Sequence, residues 1–386
     1  MRQPVLWPLA LALPLIACRG RFDRVPTDAA IDADPGAHGP VLSCAAPPQF
    51  SVNGAASAVA ATATAGGYYA FVVDGVGDVH GFSYGFADDQ LAARQADVTV
   101  FGGATVKGAA ATAIPVGDKV LLATLYGQPD ALGVALIPRG GDLGVVADPQ
   151  KQPGWFGLDG TLARAPDGTL AFLGAQSSLD VEAKLVTPTG GDVGAGHVVV
   201  DRSEAVNSEV ITASDTGFLV TWSASTPSPN EVHAQLLDSA LSVTVPATTI
   251  NTGAMFDGND PRAAYAAAVD RYLFAWWMKP GPDEVWVSVR DKQLAEITRV
   301  RLSVHGWSPR VAAGDDGFLV VWRDDGFPSG LAAARVTFDG AASPLTVAGN
   351  GGKTVGWDLV TRAGQPALVW LEGGATSTLW LNPLCN

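Results

Sequence analysis

A short string, Gly217-Phe218-Leu219-Val220-Thr221-Trp222, returns along this chain, and its return limits the available folds more than any other feature. It reappears as Tyr272-Leu273-Phe274-Ala275-Trp276, as Gly317-Phe318-Leu319-Val320-Val321-Trp322 and as Ala367-Leu368-Val369-Trp370. Weaker copies lie upstream, at Gly67-Tyr68-Tyr69-Ala70-Phe71-Val72, Val120-Leu121-Leu122-Ala123-Thr124 and Thr169-Leu170-Ala171-Phe172-Leu173. Anchoring each copy on its last residue gives positions 72, 124, 173, 222, 276, 322 and 370, a period of about 50 residues. Units of that size that cannot bury their apolar faces alone must stack on one another.

Each unit reads as four strands. In the clearest copy these are Arg310 to Ala313, Phe318 to Arg323, Leu331 to Phe338 and Ser343 to Ala348, with Asp-Gly turns at Asp316-Gly317 and Asp339-Gly340. The uninterrupted apolar run Phe318 to Trp322 suits a strand covered on both faces. A helical solenoid would need runs of ten or more residues at 3.6 spacing, and the 45 glycines and 26 prolines interrupt nearly all of them. The expected fold is therefore all-β, a seven-bladed β-propeller of four-stranded repeats. The last repeat has strand candidates at Trp357 to Arg362, Ala367 to Leu371 and Ser377 to Leu381, and no fourth. An unassigned segment, Gln49 to Val52, precedes the first repeat, so the ring is expected to close by both termini sharing one blade.

The chain carries 24 Lys and Arg against 38 Asp and Glu, a net charge of −14. Such a surface repels nucleic acid phosphates, and no basic patch offsets it, so no nucleic acid partner is expected.

The N-terminus carries an address. Met1-Arg2 is followed by an apolar run of 13 residues, Val5 to Ala17, too short for a permanent membrane span. It ends in Leu15-Ile16-Ala17-Cys18, which resembles the lipobox of bacterial lipoproteins. The resemblance implies cleavage before Cys18 and lipidation of its thiol. Arg19, where an inner-membrane retention signal would place Asp, implies sorting to the outer membrane. Residues 19–43 are poor in large apolar groups and read as a flexible tether, whose Ala/Asp-rich character is similar to the linkers of myxobacterial-type lipoproteins. The expected division is 1–17 signal peptide, 18–43 lipidated cysteine and tether, and 44–386 propeller. With Cys18 lipidated, Cys44 and Cys385 remain. Cys44 lies just before the closing strand and Cys385 just after the last one, so the two are expected to form a disulfide at the closure.

Signs of chemistry are sparse. Gly81-Phe82-Ser83-Tyr84-Gly85 matches the nucleophile-elbow string, but it falls on the third strand of its repeat and no core helix follows, so it reads as turn chemistry. His38 lies in the tether and His80, His197, His233 and His305 are scattered over different repeats, without metal-ligand spacing. Asp74 and Asp78, or Asp257, Asn259 and Asp260, offer oxygen ligands but lack the spacing of a calcium loop, and read as acidic turns. Ser214-Asp215-Thr216-Gly217-Phe218 resembles the Asp-box of sialidases, but Ala213 replaces the expected hydroxyl and the other repeats lack the motif, so that resemblance is set aside. No catalytic residue, metal or cofactor is assigned.

Gly154-Trp155, Gly306-Trp307 and Gly356-Trp357 each stand just before the first strand of a repeat. In a propeller those connections lie on the face where ligands usually bind, and Trp155, Trp307 and Trp357 are the candidate ligand-binding residues. The alternative is that each wedges between blades; Trp222, Trp276, Trp322 and Trp370 are blade core. The expected function is a lipid-anchored, non-catalytic binding scaffold for a protein or a glycan at the cell envelope. The alternative is an envelope hydrolase or lyase with a composite site at the central channel. The expected state is a monomer, held to the membrane through its N-terminal lipid.

Mass spectrometry of unreduced peptides is expected to recover a lipid-modified peptide beginning at Cys18 and a linked pair carrying Cys44 and Cys385. A Cys18→Ala chain is expected to leave the membrane fraction; persistent lipid labelling of that chain, or free thiols at 44 and 385, would count against these assignments.

Overall fold

In the computed structural model, residues 49–383 are described apart from 53–55, 75–77, 88–89, 103–110, 129–130, 154, 177–179, 202–205, 226–229, 253–257, 279–282, 325–329, 346, 348–352 and 374–376. Cys18, Cys44 and Cys385, with the expected signal peptide and tether, lie outside the described residues. The described residues form seven four-stranded antiparallel sheets and no helix. Within six of them the strands follow chain order, and the innermost strands are Ala56–Thr64, Ala111–Val116, Trp155–Arg164, Val206–Ala213, Gly258–Ala266 and Gly306–Ala313. The seventh blade runs Lys353–Arg362, Gln365–Gly373 and Ser377–Pro383, and its outer strand is Gln49–Val52. Neighbouring inner strands touch around the whole ring, from the first blade through the seventh and back to the first. The architecture is the expected seven-bladed propeller, and all seven anchor positions of the repeat fall in second strands.

Burial explains the strand order. In blade four the second strand, Gly217–Ala224, is buried along its entire length, whereas the outer strand, Val243–Thr249, is mostly exposed. A strand with protein on both faces is apolar at nearly every position, here with Thr221 and Ser223 as the small exceptions, which is why the repeat is legible as an almost unbroken run. The core does not lie inside blades but between them. Val52 and Leu379 of blade seven pack with Val59, Val72 and Phe82 of blade one. Phe218 and Trp222 of blade four pack with Leu173 and Val181 of blade three, and Phe318 and Trp322 of blade six with Leu273 and Val287 of blade five. Trp222, Trp276, Trp322 and Trp370 are all at most 2% exposed, as expected of blade core.

One turn is reused to lock these seams. Where third and fourth strands join, a backbone N–H bonds back three residues, at Leu143 to Gly140, Gly190 to Thr187, Leu241 to Asp238, Leu294 to Asp291 and Gly340 to Thr337. The donor residue is left-handed in each case, and in three of them it is a leucine, with φ of 61°, 65° and 64° at Leu143, Leu241 and Leu294. A side chain in that conformation is strained by about 1–2 kcal/mol. Burial against the preceding blade offsets it: Leu294 is 1% exposed and joins a cluster with Leu236 and Ile250 of blade four. Beside the same turns, two arginines reach across the seam. Arg290 donates to the Ile250 carbonyl at 2.7 Å, and Arg139 donates to the Val100 carbonyl of blade one.

The closing seam carries polar ties of its own. The closing strand pairs Gln49 with Trp380 and Val52 with Ser377. The Ser377 hydroxyl accepts from the Ala56 amide at 3.1 Å, the Asp358 carboxylate accepts from the Ala61 amide at 2.8 Å, and Arg362 donates to the Ala65 carbonyl at 2.7 Å. Burial pushes the Asp358 carboxyl above its ordinary range, against the pull of the Ala61 amide and of Arg310.

Two expectations follow. Leu294→Ala should lower the unfolding free energy by about 2–4 kcal/mol, and Leu294→Gly should cost no more than the alanine change, because glycine loses the strain along with the side chain. Denaturant unfolding of the two variants tests this order, which is the reverse of the usual one for alanine and glycine. For Asp358 the folded chain keeps its proton at pH values where the unfolded chain has lost it, so its contribution to stability falls as pH rises above about 4. The difference in thermal midpoint between the native chain and Asp358→Asn should therefore shrink from pH 4 to pH 7; a gap that widens would contradict the assignment.

Candidate functional site

Inner strands carry a local irregularity that determines what faces the axis. In blade five, Asn259 pairs with Trp277 but Arg262 pairs with Ala275, so the strand Gly258–Ala266 holds one residue more than its partner. In blade six, Trp307 pairs with Arg323 and Arg310 with Val321, with the same surplus. The extra residue comes from Asn259-Asp260-Pro261-Arg262 in one strand and Trp307-Ser308-Pro309-Arg310 in the other. Proline cannot donate to a ladder and is tolerated at such a bulge. The residue before it is left-handed, with φ of 47° at Asp260 and 51° at Ser308. These bulges also lengthen the strands: the first strand of blade six starts at Gly306 rather than Arg310.

The bulges bring charge to the channel. Arg262 Nη2 lies 2.7 Å from Asp260 Oδ1, and Arg310 Nη1 lies 3.4 Å from Asp260 Oδ2. The Ser308 hydroxyl donates to the same Oδ2 at 2.7 Å. Each guanidinium is braced by its own proline carbonyl, Pro261 at 2.9 Å and Pro309 at 3.0 Å. Burial opposes the charge on Asp260, but the two arginines and the Ser308 hydroxyl outweigh it and hold this carboxyl below the ordinary carboxylate range. The result is a rigid Arg–Asp–Arg bridge between blades five and six.

A cavity of about 470 Å³ opens beside this bridge, with walls from the inner strands of all seven blades. Its two sides differ. Blades five to seven supply Arg262, Arg310, Trp307, Trp357 and Asp358, with Arg323 beside them, while blades one to four supply no charged group, only aliphatic side chains such as Val59, Leu162 and Ile211 and the hydroxyls of Ser57, Thr112 and Thr212. Its size is within the span of small-molecule sites, roughly 300–1,000 Å³.

The three candidate tryptophans sit inside inner strands rather than in the connections before them, because the bulged strands begin earlier than the apolar pattern indicates. Trp307 is half-buried, lines the cavity, and has the Arg323 guanidinium 4.8 Å from its ring centroid. Trp357 is 9% exposed and packs in the seam with Leu319, Val321, Leu368 and Trp370, so it is first a wedge between blades six and seven. It also reaches the cavity, where the Arg310 guanidinium stands 5.9 Å from its ring. Trp155 opens the inner strand of blade three; its side chain is not among those described.

Other motifs resolve as structure. Ser83 is 2% exposed on the third strand of blade one, with no strand-to-helix turn. His80 is held between Asp97 at 2.6 Å and Asp74 at 3.3 Å, and His233 stacks on Trp222. The Asp74 carboxylate also accepts from the Asp78 amide. Asn259 accepts from Asn230 at 2.8 Å, Asp260 is taken by its arginines, and Asp257 lies outside the described residues. Ser214 to Phe218 makes a hairpin turn in which the Gly217 amide donates to the Ser214 hydroxyl. Among the described residues no group of three or more His, Cys, Asp or Glu is placed to hold a metal ion. Arg262, Arg310 and Asp358 were not singled out by the sequence reading. The signal that finds the two arginines is the return of Asp-Pro-Arg as Ser-Pro-Arg 48 residues later, each two residues after a glycine.

No family model matches this chain, and no curated protein matches it. Solved structures share its fold at low identity. The lectin BP39L from Burkholderia pseudomallei aligns over 86% of this chain and 100% of its own, with TM-score 0.54 and 14% identity. A chain of the Mitotic Checkpoint Complex aligns over 91% of this chain and 98% of its own, with TM-score 0.50 and 10% identity. The likeness is one of β-propeller architecture.

Proposed function

We propose that this protein is a non-catalytic binding propeller of the cell envelope, tethered by a lipid on Cys18, that takes part of a glycan into its channel. The observation that carries the reading is the gathering of Trp307, the edge of Trp357 and the guanidinium groups of Arg262 and Arg310 around one 470 Å³ cavity. An aromatic ring beside hydrogen-bond donors suits a sugar, which offers both C–H faces and hydroxyls. A concave cavity of that volume favours a small saccharide unit over a protein, whose interfaces cover about 800 Å² per partner. The lectin among the similar folds is compatible with this reading at the level of fold.

A second reading, a hydrolase or lyase with a composite channel site, draws on Asp358, the channel carboxyl whose affinity for its proton is raised. Against it, both Asp358 oxygens accept backbone amides, from Ala61 and Leu359 at 2.8 Å each, so this group is committed to the closing seam. A disulfide between Cys44 and Cys385 is part of the proposal. Cys44 precedes the closing strand Gln49–Val52 by five residues and Cys385 follows the end of its partner strand Ser377–Pro383 by two, so the sequence brings both toward one join. On the chain-entropy model a loop of that length stabilises by an amount on the order of 5 kcal/mol.

A glycan array followed by calorimetry, run beside a glycosidase and esterase screen, tests the function. Saccharide binding without turnover is expected, with Trp307→Ala weakening it about tenfold or more at unchanged thermal midpoint. Turnover lost in Asp358→Asn would move the assignment to the hydrolase.

A further inference from the structure

The channel cavity is positively biased in a protein whose net charge is −14. Among the described residues Arg262, Arg310 and Arg323 line it, and Asp358 is the one lining carboxyl. Asp260 stands behind the first two and neutralises one of them.

Arg310 is the member of this group that is built to meet a ligand. Its Nη1 is engaged by Asp260 and the Pro309 carbonyl, which fixes the plane of the guanidinium. Its Nε and Nη2 have no partner among the described residues, its side chain is 25% exposed, and it lines the cavity. A guanidinium held in place with two adjacent N–H groups free matches the two oxygens of a carboxylate. Across the cavity, blades one to four supply Val59, Leu162 and Ile211 with the hydroxyls of Ser57, Thr112 and Thr212 and no charged group, so a bound saccharide would place its charge toward blades five and six and its neutral part toward blades one to four.

We infer that the cavity binds a carboxylate-bearing sugar residue, its carboxylate paired with Nε and Nη2 of Arg310 and its ring lying beside Trp307. Asp260 is a positioning residue, since it holds Arg310 from behind the cavity wall, and Ser308 braces Asp260 in turn. The inference rests on the glycan reading above and names the class of sugar.

The test uses the full chain in detergent and a panel of short saccharides containing glucuronic, galacturonic, N-acetylneuraminic or N-acetylmuramic acid, each supplied as the free acid and as its methyl ester. At least one acid is expected to bind about tenfold or more tightly than its own ester, with the difference shrinking at high salt. Arg310→Gln should bring acid and ester to nearly equal affinity, and because it removes one partner of the partly buried Asp260 it should also lower the thermal midpoint; Arg310→Lys should keep part of the preference. Esters that bind as well as acids, or a preference that survives Arg310→Gln, would overturn the carboxylate inference and leave the glycan reading standing. A panel in which neither form of any saccharide binds would remove the glycan reading itself, and the inference with it. Should Arg310→Gln fail to fold, the acid-to-ester ratio of the native chain and the Arg310→Lys variant decide the matter.

Discussion

Every blade of this protein depends on the seam it shares with its neighbours. The clusters that hold Phe218, Phe318, Val52 or Leu294 each draw side chains from two adjacent blades or more, so a blade alone would expose both of its apolar faces to water. A linear stack would leave two such faces at its ends. The ring leaves none, and it does so through four residues, Gln49–Val52, that come from one end of the chain and pair with a strand from the other. Val52 fills the last seam and the polar ties of Asp358, Arg362 and Ser377 span it. The stability of the whole is tied to that join, because losing it uncovers a seam and two sheet edges together.

The same inner strands that make the ring also make its cavity. A regular strand directs alternate residues to its two faces, and a continuous inner strand would present a monotonous wall to the axis. The bulges at Asp260-Pro261 and Ser308-Pro309 break that alternation, turn Arg262 and Arg310 inward and let one carboxylate bridge two blades. Backbone irregularity here carries the charge of the channel, while the wall of blades one to four is uncharged, built of aliphatic side chains with Ser57, Thr112 and Thr212 among them.

Much of the architecture could be read from the chain because the selective pressure of burial on second strands is one-dimensional. Phe318 to Trp322 must be apolar throughout, and this leaves a run that recurs at a fixed period; the missing fourth strand after Leu381 and the spare segment at Gln49 follow from counting. Inner strands were harder. Their first residues alternate between channel and seam and include proline, so the apolar pattern begins late, at Arg310 instead of Gly306, and displaces Trp307 and Trp357 into the connections. The charged pair at the channel escaped because Arg262 and Arg310 are 48 residues apart and meet at Asp260 only after the sheets have stacked. His80, read as isolated, acquires Asp74 and Asp97 for a related reason: a hairpin and a left-handed Asp97 bring them together.

The closing strand has a consequence for the order of assembly. Six blades are meanders whose partners lie within a few dozen residues, so each can form as its own segment becomes available. Gln49 and Trp380 are separated by about 330 residues. Synthesis proceeds from the N-terminus, so Gln49–Val52 is made before any blade and must stay unpaired until the seventh has been completed. Its short length is an advantage during that wait, since four residues give a weak template for mispairing with another growing edge. The join is thus the slow, non-local step of an otherwise local folding process, and the last to be made is the one on which the others come to rely.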